Sequence, residues 1–135
     1  MKEILLIILS EINNGNGKIK EYDFKGNLIF EGEYLNGKKW NGKGKEYNEN
    51  GKLIFEGEYL NGQRNGKGKE YNMFGELRFE GEYLNGKRNG NGKEFNKYRR
   101  LIFEGEYLYG KKIKGKVYIN GNYKYKVYNN YHKVK

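Results

Sequence analysis

The sequence predicts an all-β chain, built as one elongated, single-layer antiparallel sheet of about five stacked hairpins. Three observations point there. The string Glu-Gly-Glu-Tyr-Leu-Asn-Gly begins at Glu31, Glu56 and Glu80, and returns at Glu104 as Glu-Gly-Glu-Tyr-Leu-Tyr-Gly, at spacings of 25, 24 and 24 residues. A unit recurring at such a period marks an architecture in which each repeat buries a face only against its neighbours. Asn-Gly pairs punctuate the repeat at hairpin spacing and supply the positive φ that tight turns need. The composition agrees: 36% apolar is low for a packed globular core, while 16% aromatic is too rich for a disordered chain. A thin sheet that buries flat rings against its 21 glycines reconciles the two.

The elements follow in chain order within one domain, residues 1–135. Residues 1–16 read as a worn first unit and cap. Ser10-Glu11-Ile12-Asn13-Asn14-Gly15 is a degraded copy of the repeat string, and Ile4 to Leu9 is an apolar run of six. Left bare, such a run is an aggregation hazard, so it is expected to cover the first hairpin or a second subunit. Residues 17–118 hold the repeats. In one of them, Gly42 to Tyr47 is a strand-length run, Asn50-Gly51 is expected to be a tight turn, and Leu53 to Leu60 is the return strand before Asn61-Gly62. Alternation puts Leu53, Phe55, Gly57 and Tyr59 on one face and Ile54, Glu56, Glu58 and Leu60 on the other. Gly32, Gly57, Gly81 and Gly105 therefore open a gap in an aromatic face for a neighbouring ring. Equivalent rings should form two rows, Phe30, Phe55, Phe79 and Phe103 in one and Tyr34, Tyr59, Tyr83 and Tyr107 in the other. Ile19 stands where Gly44 and Gly68 stand later. Residues 119–135 read as a basic capping hairpin, in which Tyr123 and Tyr125 close the core while Lys124 and Lys126 face outward.

These residues resemble the MORN (membrane occupation and recognition nexus) repeats. That family's pattern is roughly aromatic-x-Gly-x-aromatic-x-Asn-Gly-Lys, then Gly-x-Gly, then an aromatic and a turn glycine. Phe79-Glu80-Gly81-Glu82-Tyr83-Leu84-Asn85-Gly86-Lys87, Gly90-Asn91-Gly92 and Phe95 match it. The longer Tyr-Asn-Glu-Asn-Gly-Lys-Leu hairpin is similar to the bacterial MORN-variant repeat. The resemblance covers about Gly17 to Tyr118 and implies a β-hairpin solenoid used as a module in unrelated proteins.

Chemistry is sparse. With no cysteine there is no disulfide framework and no thiolate zinc site. Ser10, His132 and Asp23 are isolated residues without a supporting motif. Gly37-Lys38-Lys39-Trp40-Asn41-Gly42-Lys43 spells the start of a phosphate loop, but Gly44 replaces the magnesium-holding hydroxyl and a strand follows instead of a helix. Glu56 and Glu58 recur as Glu31/Glu33, Glu80/Glu82 and Glu104/Glu106, which reads as a solvated ladder neutralised by Lys43- and Lys45-type residues. A catalytic pair would be differentiated within one pocket. The inserted Trp40 is either a packing filler or an exposed interface anchor. The sequence thus predicts no enzyme, no metal and no cofactor.

Charge is the asymmetric feature. Of the net +10, +6 falls in residues 104–135, with Lys111, Lys112, Lys114, Lys116, Lys124, Lys126, Lys133 and Lys135 interleaved with tyrosines. Such a patch attracts anionic headgroups or phosphate backbones. It equally suits a sheet edge loaded with lysines against edge-to-edge pairing. The expected function is a non-catalytic scaffold for a protein partner or for self-association as a homodimer, through a long groove lined by rings. Peripheral binding to anionic phospholipid through the basic end is the alternative, and an antitoxin-like masking of a partner is a third. A small-molecule substrate and a nucleic acid fit less well. The absence of a signal-peptide core or membrane-length run implies a cytoplasmic location, peripheral to a membrane under the lipid reading.

Overall fold

The computed structural model describes residues 6–9 and 15–128. Eleven strands follow one another among them: β1 (Leu6–Leu9), β2 (Gly17–Tyr22), β3 (Leu28–Leu35), β4 (Lys38–Tyr47), β5 (Leu53–Leu60), β6 (Gln63–Tyr71), β7 (Leu77–Leu84), β8 (Lys87–Phe95), β9 (Leu101–Leu108), β10 (Lys111–Ile119) and β11 (Asn122–Tyr128). Their order in the sheet is their order in the chain, and each neighbouring pair is antiparallel. The apolar run at the start supplies β1, which extends the sheet at the β2 edge with Leu9 opposite Ile19. Ser10 to Asn14, where the worn repeat string lies, and His132, Lys133 and Lys135 fall outside the described residues.

Two kinds of turn alternate along the edges. On one edge, Asn36-Gly37, Asn61-Gly62 and Asn85-Gly86 place both residues at positive φ (52° and 79° for the second pair), the conformation whose twist matches a hairpin. Each narrow turn is tied to the unit before it. Asn61 donates its backbone N–H to the Asn41 side chain at 3.0 Å, and the same link joins Asn36 to Asn16, Asn85 to Asn65 and Tyr109 to Asn89. On the other edge the turns are wider. The Asn48 side chain accepts the N–H groups of Asn50 and Lys52, and only Gly51 has positive φ, at 75°. Asn50-Gly51 is therefore not the tight two-residue turn the sequence suggested. An asparagine side chain that mimics a backbone turn has taken over that role.

A row of glycines crosses the sheet at one level. Gly44 faces Gly57, which also faces Gly68; Gly68 faces Gly81, Gly81 faces Gly92, and Gly92 faces Gly105. Glycine is required there on two counts. A Cβ on Gly81 would lie 2.5 Å from the Asn91 carbonyl oxygen and 2.7 Å from the Phe79 ring. Rings fill the freed space: Phe30, Phe55, Phe79 and Phe103 are each 2% exposed or less. They do not form separate phenylalanine and tyrosine rows. Phe55 meets Tyr59 of its own unit at 6.0 Å and Tyr83 of the next at 5.3 Å, and Phe79 meets Tyr83 and Tyr107 at 5.8 and 5.2 Å, all edge to face. Edge-to-face contact favours the ring quadrupole, and like rings two strands apart are too distant to touch. The result is one zigzag file.

The first full unit departs from this register. Phe30 faces Gly44, whereas Phe55 faces Glu70 and Phe79 faces Glu94. Between β3 and β4 the irregularity absorbs one extra residue, from Lys39 to Asn41 against Tyr34 to Glu33. Between β5 and β6 it absorbs two, from Arg64 to Gly68 against Tyr59 to Gly57. The residue inserted around Trp40 thus leaves β4 slid by two positions, and alternation keeps every side chain on its face.

Candidate functional site

A single sheet has no second layer to close its core, so the rings need another cover. The sequence provides one that pattern reading did not find. Glu46, Glu70 and Glu94 are at equivalent positions, two residues beyond a row glycine, and so lie on the ring face. Arg64 grips Glu46 with Nε at 3.0 Å and Nη2 at 2.8 Å, while its guanidinium lies 3.9 Å from the centre of the Phe55 ring. Tyr59 donates its hydroxyl to the same carboxylate at 2.5 Å. The next unit repeats this with Arg88 on Glu70 at 2.9 Å through two nitrogens, Tyr83 donating to Glu70, and the guanidinium 4.0 Å over Phe79. In the last full unit, Tyr107 donates to Glu94, and Lys112 reaches Glu94 at 3.0 Å and the Phe103 ring at 4.7 Å. Phe55 and Phe79 are thus each held between glycine backbone and a guanidinium fixed by a bidentate ion pair, and Phe103 lies under the lysine paired with Glu94.

The electrostatics follow from this arrangement. Burial alone would raise the Glu46 and Glu70 carboxyls, but hydrogen bonds from Arg64 and Tyr59, and from Arg88 and Tyr83, outweigh it and hold both below the usual range. Burial, and then the hydrogen bond to a carboxylate, push the phenols of Tyr59, Tyr83 and Tyr107 well up. Tyr71, which donates to Glu56 at 3.0 Å, is raised to about 12 by the same two causes. Groups held this firmly in one protonation state suit a structural role better than proton transfer near neutral pH.

The opposite face carries the groove. A trough of about 880 Å³ runs from β3 to β9, floored by the glycine row and walled by Lys45, Glu56, Lys69, Glu80, Lys93 and Glu104. Seven strands at ~4.8 Å each make it about 30 Å long. Alternating charges pair across the strands, Lys45 opposite Glu56, Glu56 opposite Lys69, and so on to Glu104. The expectation of a ring-lined groove is therefore corrected: along most of the trough the rings are on the other face, under the arginines. The repeated glutamates also do more than face solvent, since Glu58 accepts the Lys67 N–H at 3.1 Å and Glu82 the Asn91 N–H at 2.6 Å.

The basic end is divided. Lys112 and Lys114 pair with Glu94 and Glu106, each at 3.0 Å. Lys116 stands directly opposite Lys126 across β10 and β11, with Lys124 at the irregularity beside them. Lys111 opens β10 opposite Leu108. Tyr123 and Tyr125 are 52% and 53% exposed, so they do not close the core as expected; Val117 and Val127 pack there instead. Tyr123 meets the Tyr118 ring edge to face at 6.2 Å, apart from the file that Phe103 and Tyr107 end. Trp40 is half-buried. Its ring lies 3.5 Å from where a Cβ on Gly62 would stand, and its carbonyl accepts the Gly62 N–H at 2.8 Å. Gly37 lies in the narrow turn, and Lys38 to Lys43 form the first part of β4, so the phosphate-loop spelling falls on a hairpin. Among the described residues no group of three or more acidic or histidine side chains could hold a metal ion. Nor, among the same residues, is any helix long and apolar enough to cross a membrane.

A comparison with curated proteins finds no match. The MORN repeat model matches twice, at residues 55–72 and 79–96, which are the β5–β6 and β7–β8 hairpins with the asparagine that opens each following turn. MORN repeats generally mediate protein or membrane interactions and form a non-catalytic family. Residues 55–72 and 79–96 are thus two MORN repeats, and the sheet carries the same rings, glycines and turns on both sides of them, which supports a MORN repeat protein.

Proposed function

We propose that the protein is a non-catalytic scaffold that holds an extended protein segment in the charged groove. The trough itself carries this reading: it is about 30 Å long by strand count, floored by backbone and walled by both signs of charge. An extended chain can lie across the strands there and meet a lysine or a glutamate at every strand, which favours register and selectivity over raw affinity. The test replaces Lys69 or Glu80 in turn by a photo-crosslinking amino acid in the native cell, with Leu84 at the sheet edge as control. An adduct with a different protein from the two groove positions alone supports the scaffold. An adduct with a second copy of the chain indicates self-association, and equal adducts from Leu84 would overturn the groove assignment.

One observation favours a second reading, peripheral attachment to anionic lipid. Lys116 and Lys126 are directly opposed, and Glu104 on the other side of Lys116 already pairs with Lys93 at 3.7 Å, so the two like charges repel unless a further anion joins them. Sedimentation with vesicles containing phosphatidylserine, but not with neutral ones, supports it; no difference between the two removes it.

A further inference from the structure

Four wide loops share one construction and lie on one edge of the sheet. Asp23, Asn48, Asn72 and Asn96 each begin a loop, and each side chain accepts the backbone N–H groups two and four residues later. The residues carried between differ sharply. The loop from Asn48 to Lys52 presents Glu49 and Asn50, as expected at a solvated turn. The loop from Asn72 to Glu76 presents Met73 and Phe74, 64% and 71% exposed, and the loop after it presents Lys97 and Tyr98, with Tyr98 69% exposed.

The Glu49-Asn50 loop is an internal control. It closes with the same hydrogen bonds, so closure alone does not require methionine, phenylalanine or tyrosine. A second departure lies beside the first. Gly26, Gly51 and Gly75 hold the positive-φ position of their loops, but the fourth loop puts Arg99 there, at φ 63°. A non-glycine residue in that conformation is strained, and here the strain holds an exposed guanidinium between Tyr98 and Arg100. The two loops are braced to their neighbours: Asn48 donates to the Met73 carbonyl at 3.4 Å and Arg78 to the Asn96 carbonyl at 2.5 Å. Exposed rings on a pre-ordered edge lose little freedom on binding.

We propose that these two adjacent loops form a docking site, distinct from the groove, for a short acidic segment of a partner protein that carries one bulky apolar anchor. Phe74 and Tyr98 occupy equivalent loop positions two strands apart, about 10 Å at the backbone. An apolar side chain between them meets a ring on each side at roughly 5 Å, the usual separation for aromatic contacts. Lys97, Arg99 and Arg100 supply the charge complement for carboxylates flanking the anchor. A short acidic segment fits better than an anionic membrane, because it can rest on the Lys97–Arg100 loop and Phe74 alone, whereas a flat negative surface would span the edge and also meet Glu49 two loops away.

The experiment selects random dodecapeptides displayed on phage against the immobilised chain, then measures synthetic copies by fluorescence anisotropy. The comparison protein carries the sister loop's residues: Met73→Glu, Phe74→Asn, Lys97→Glu, Tyr98→Asn and Arg99→Gly. Phe74→Asn alone serves as a milder second variant should the fivefold change disturb the fold. The expected result is acidic peptides with a single aromatic or aliphatic anchor, whose affinity weakens with salt and drops at least about tenfold in the graft, as for loss of an interface hot spot. The proposal is overturned if no binder emerges or if selected peptides bind the graft equally. Peptides that survive the graft but are lost on Lys69→Glu belong to the groove. Graft-sensitive binding to phosphatidylserine vesicles without any peptide binding would also overturn it, by assigning the edge to a membrane.

Discussion

The first full unit and the central units solve the same problem with different cations. In the centre, Arg64 and Arg88 use a planar fork that satisfies a carboxylate and lies flat on a phenylalanine. At the start, Glu21 occupies the equivalent place, Lys39 stands in for the arginine, and its ammonium lies 5.4 Å from the centre of the Phe30 ring. An ammonium is a point charge with no fork. Glu21 is 1% exposed, and its Oε1 has no hydrogen-bond partner. Burial raises its carboxyl above the usual value, with Lys39 opposing more weakly, whereas Glu46 and Glu70 are held below it. The same fold position is thus a brace in the centre and a weak point near the N-terminal end.

The largest expected effect breaks the centre. Phe79→Ala should cost about 3–5 kcal/mol, as for other buried phenylalanines, measured by chemical denaturation. Phe30→Ala should cost less, because its cation is a more distant lysine; equal losses would show that the stacked guanidinium adds nothing. Arg88→Lys should then lose about 1–2 kcal/mol by converting a central brace into the form found at the start. The reverse change, Lys39→Arg, should gain up to about 1 kcal/mol by giving Glu21 the fork it lacks.

Acid should affect the two regions in opposite directions. The ion pairs of Glu46 and Glu70 contribute fully above the ordinary carboxyl value of 4.5 and are lost as pH falls through their lower folded values. The raised Glu21 penalises the fold once pH climbs above 4.5, and the penalty is complete above its folded value. Amide exchange should therefore show β2 and β3 better protected near pH 4.5 than at pH 7, with β6 and β7 weakening only at lower pH. Parallel loss in both regions would remove the distinction. The smallest effect concerns the strained loop: Arg99→Gly should raise stability by about 0.5–1 kcal/mol, since relief of the left-handed strain exceeds the added freedom of the unfolded chain. A loss would mean that the Arg99 side chain holds the loop through contacts.

Much of this was legible in the sequence, for identifiable reasons. The repeated Glu-Gly-Glu-Tyr string and the Asn-Gly pairs encode local geometry, so strands, narrow turns and the neighbour-to-neighbour sheet followed directly. The ion-pair cover escapes a reading of Gly42 to Tyr47 and its copies as strand-length runs alone, and needs alternation counted from the row glycine, Gly44 or Gly68. That count puts a carboxylate among rings, where it demands a cation, and Arg64 and Arg88 recur 18 residues from their glutamates. The side of the groove was not legible, because which face of a single sheet is concave depends on how the strands coil together. The docking loops were visible only once their shared hydrogen bonds showed them to be equivalent.

Because the strands lie in the sheet in chain order, each is paired only with its immediate predecessor and successor. Loops closed early and cheaply are those that bring nearby residues together, and folding speeds up as the average sequence separation of contacts falls. A hairpin of this chain needs nothing from the far end of the molecule to find its register. During synthesis each new 24-residue unit can therefore settle on the edge left by the one before it, the arginine of the newcomer closing over the phenylalanine already in place. Growth at one open edge, unit by unit, lets the ribosome set the order of assembly, and it lets a duplicated unit lengthen the rod by about 10 Å without disturbing its neighbours.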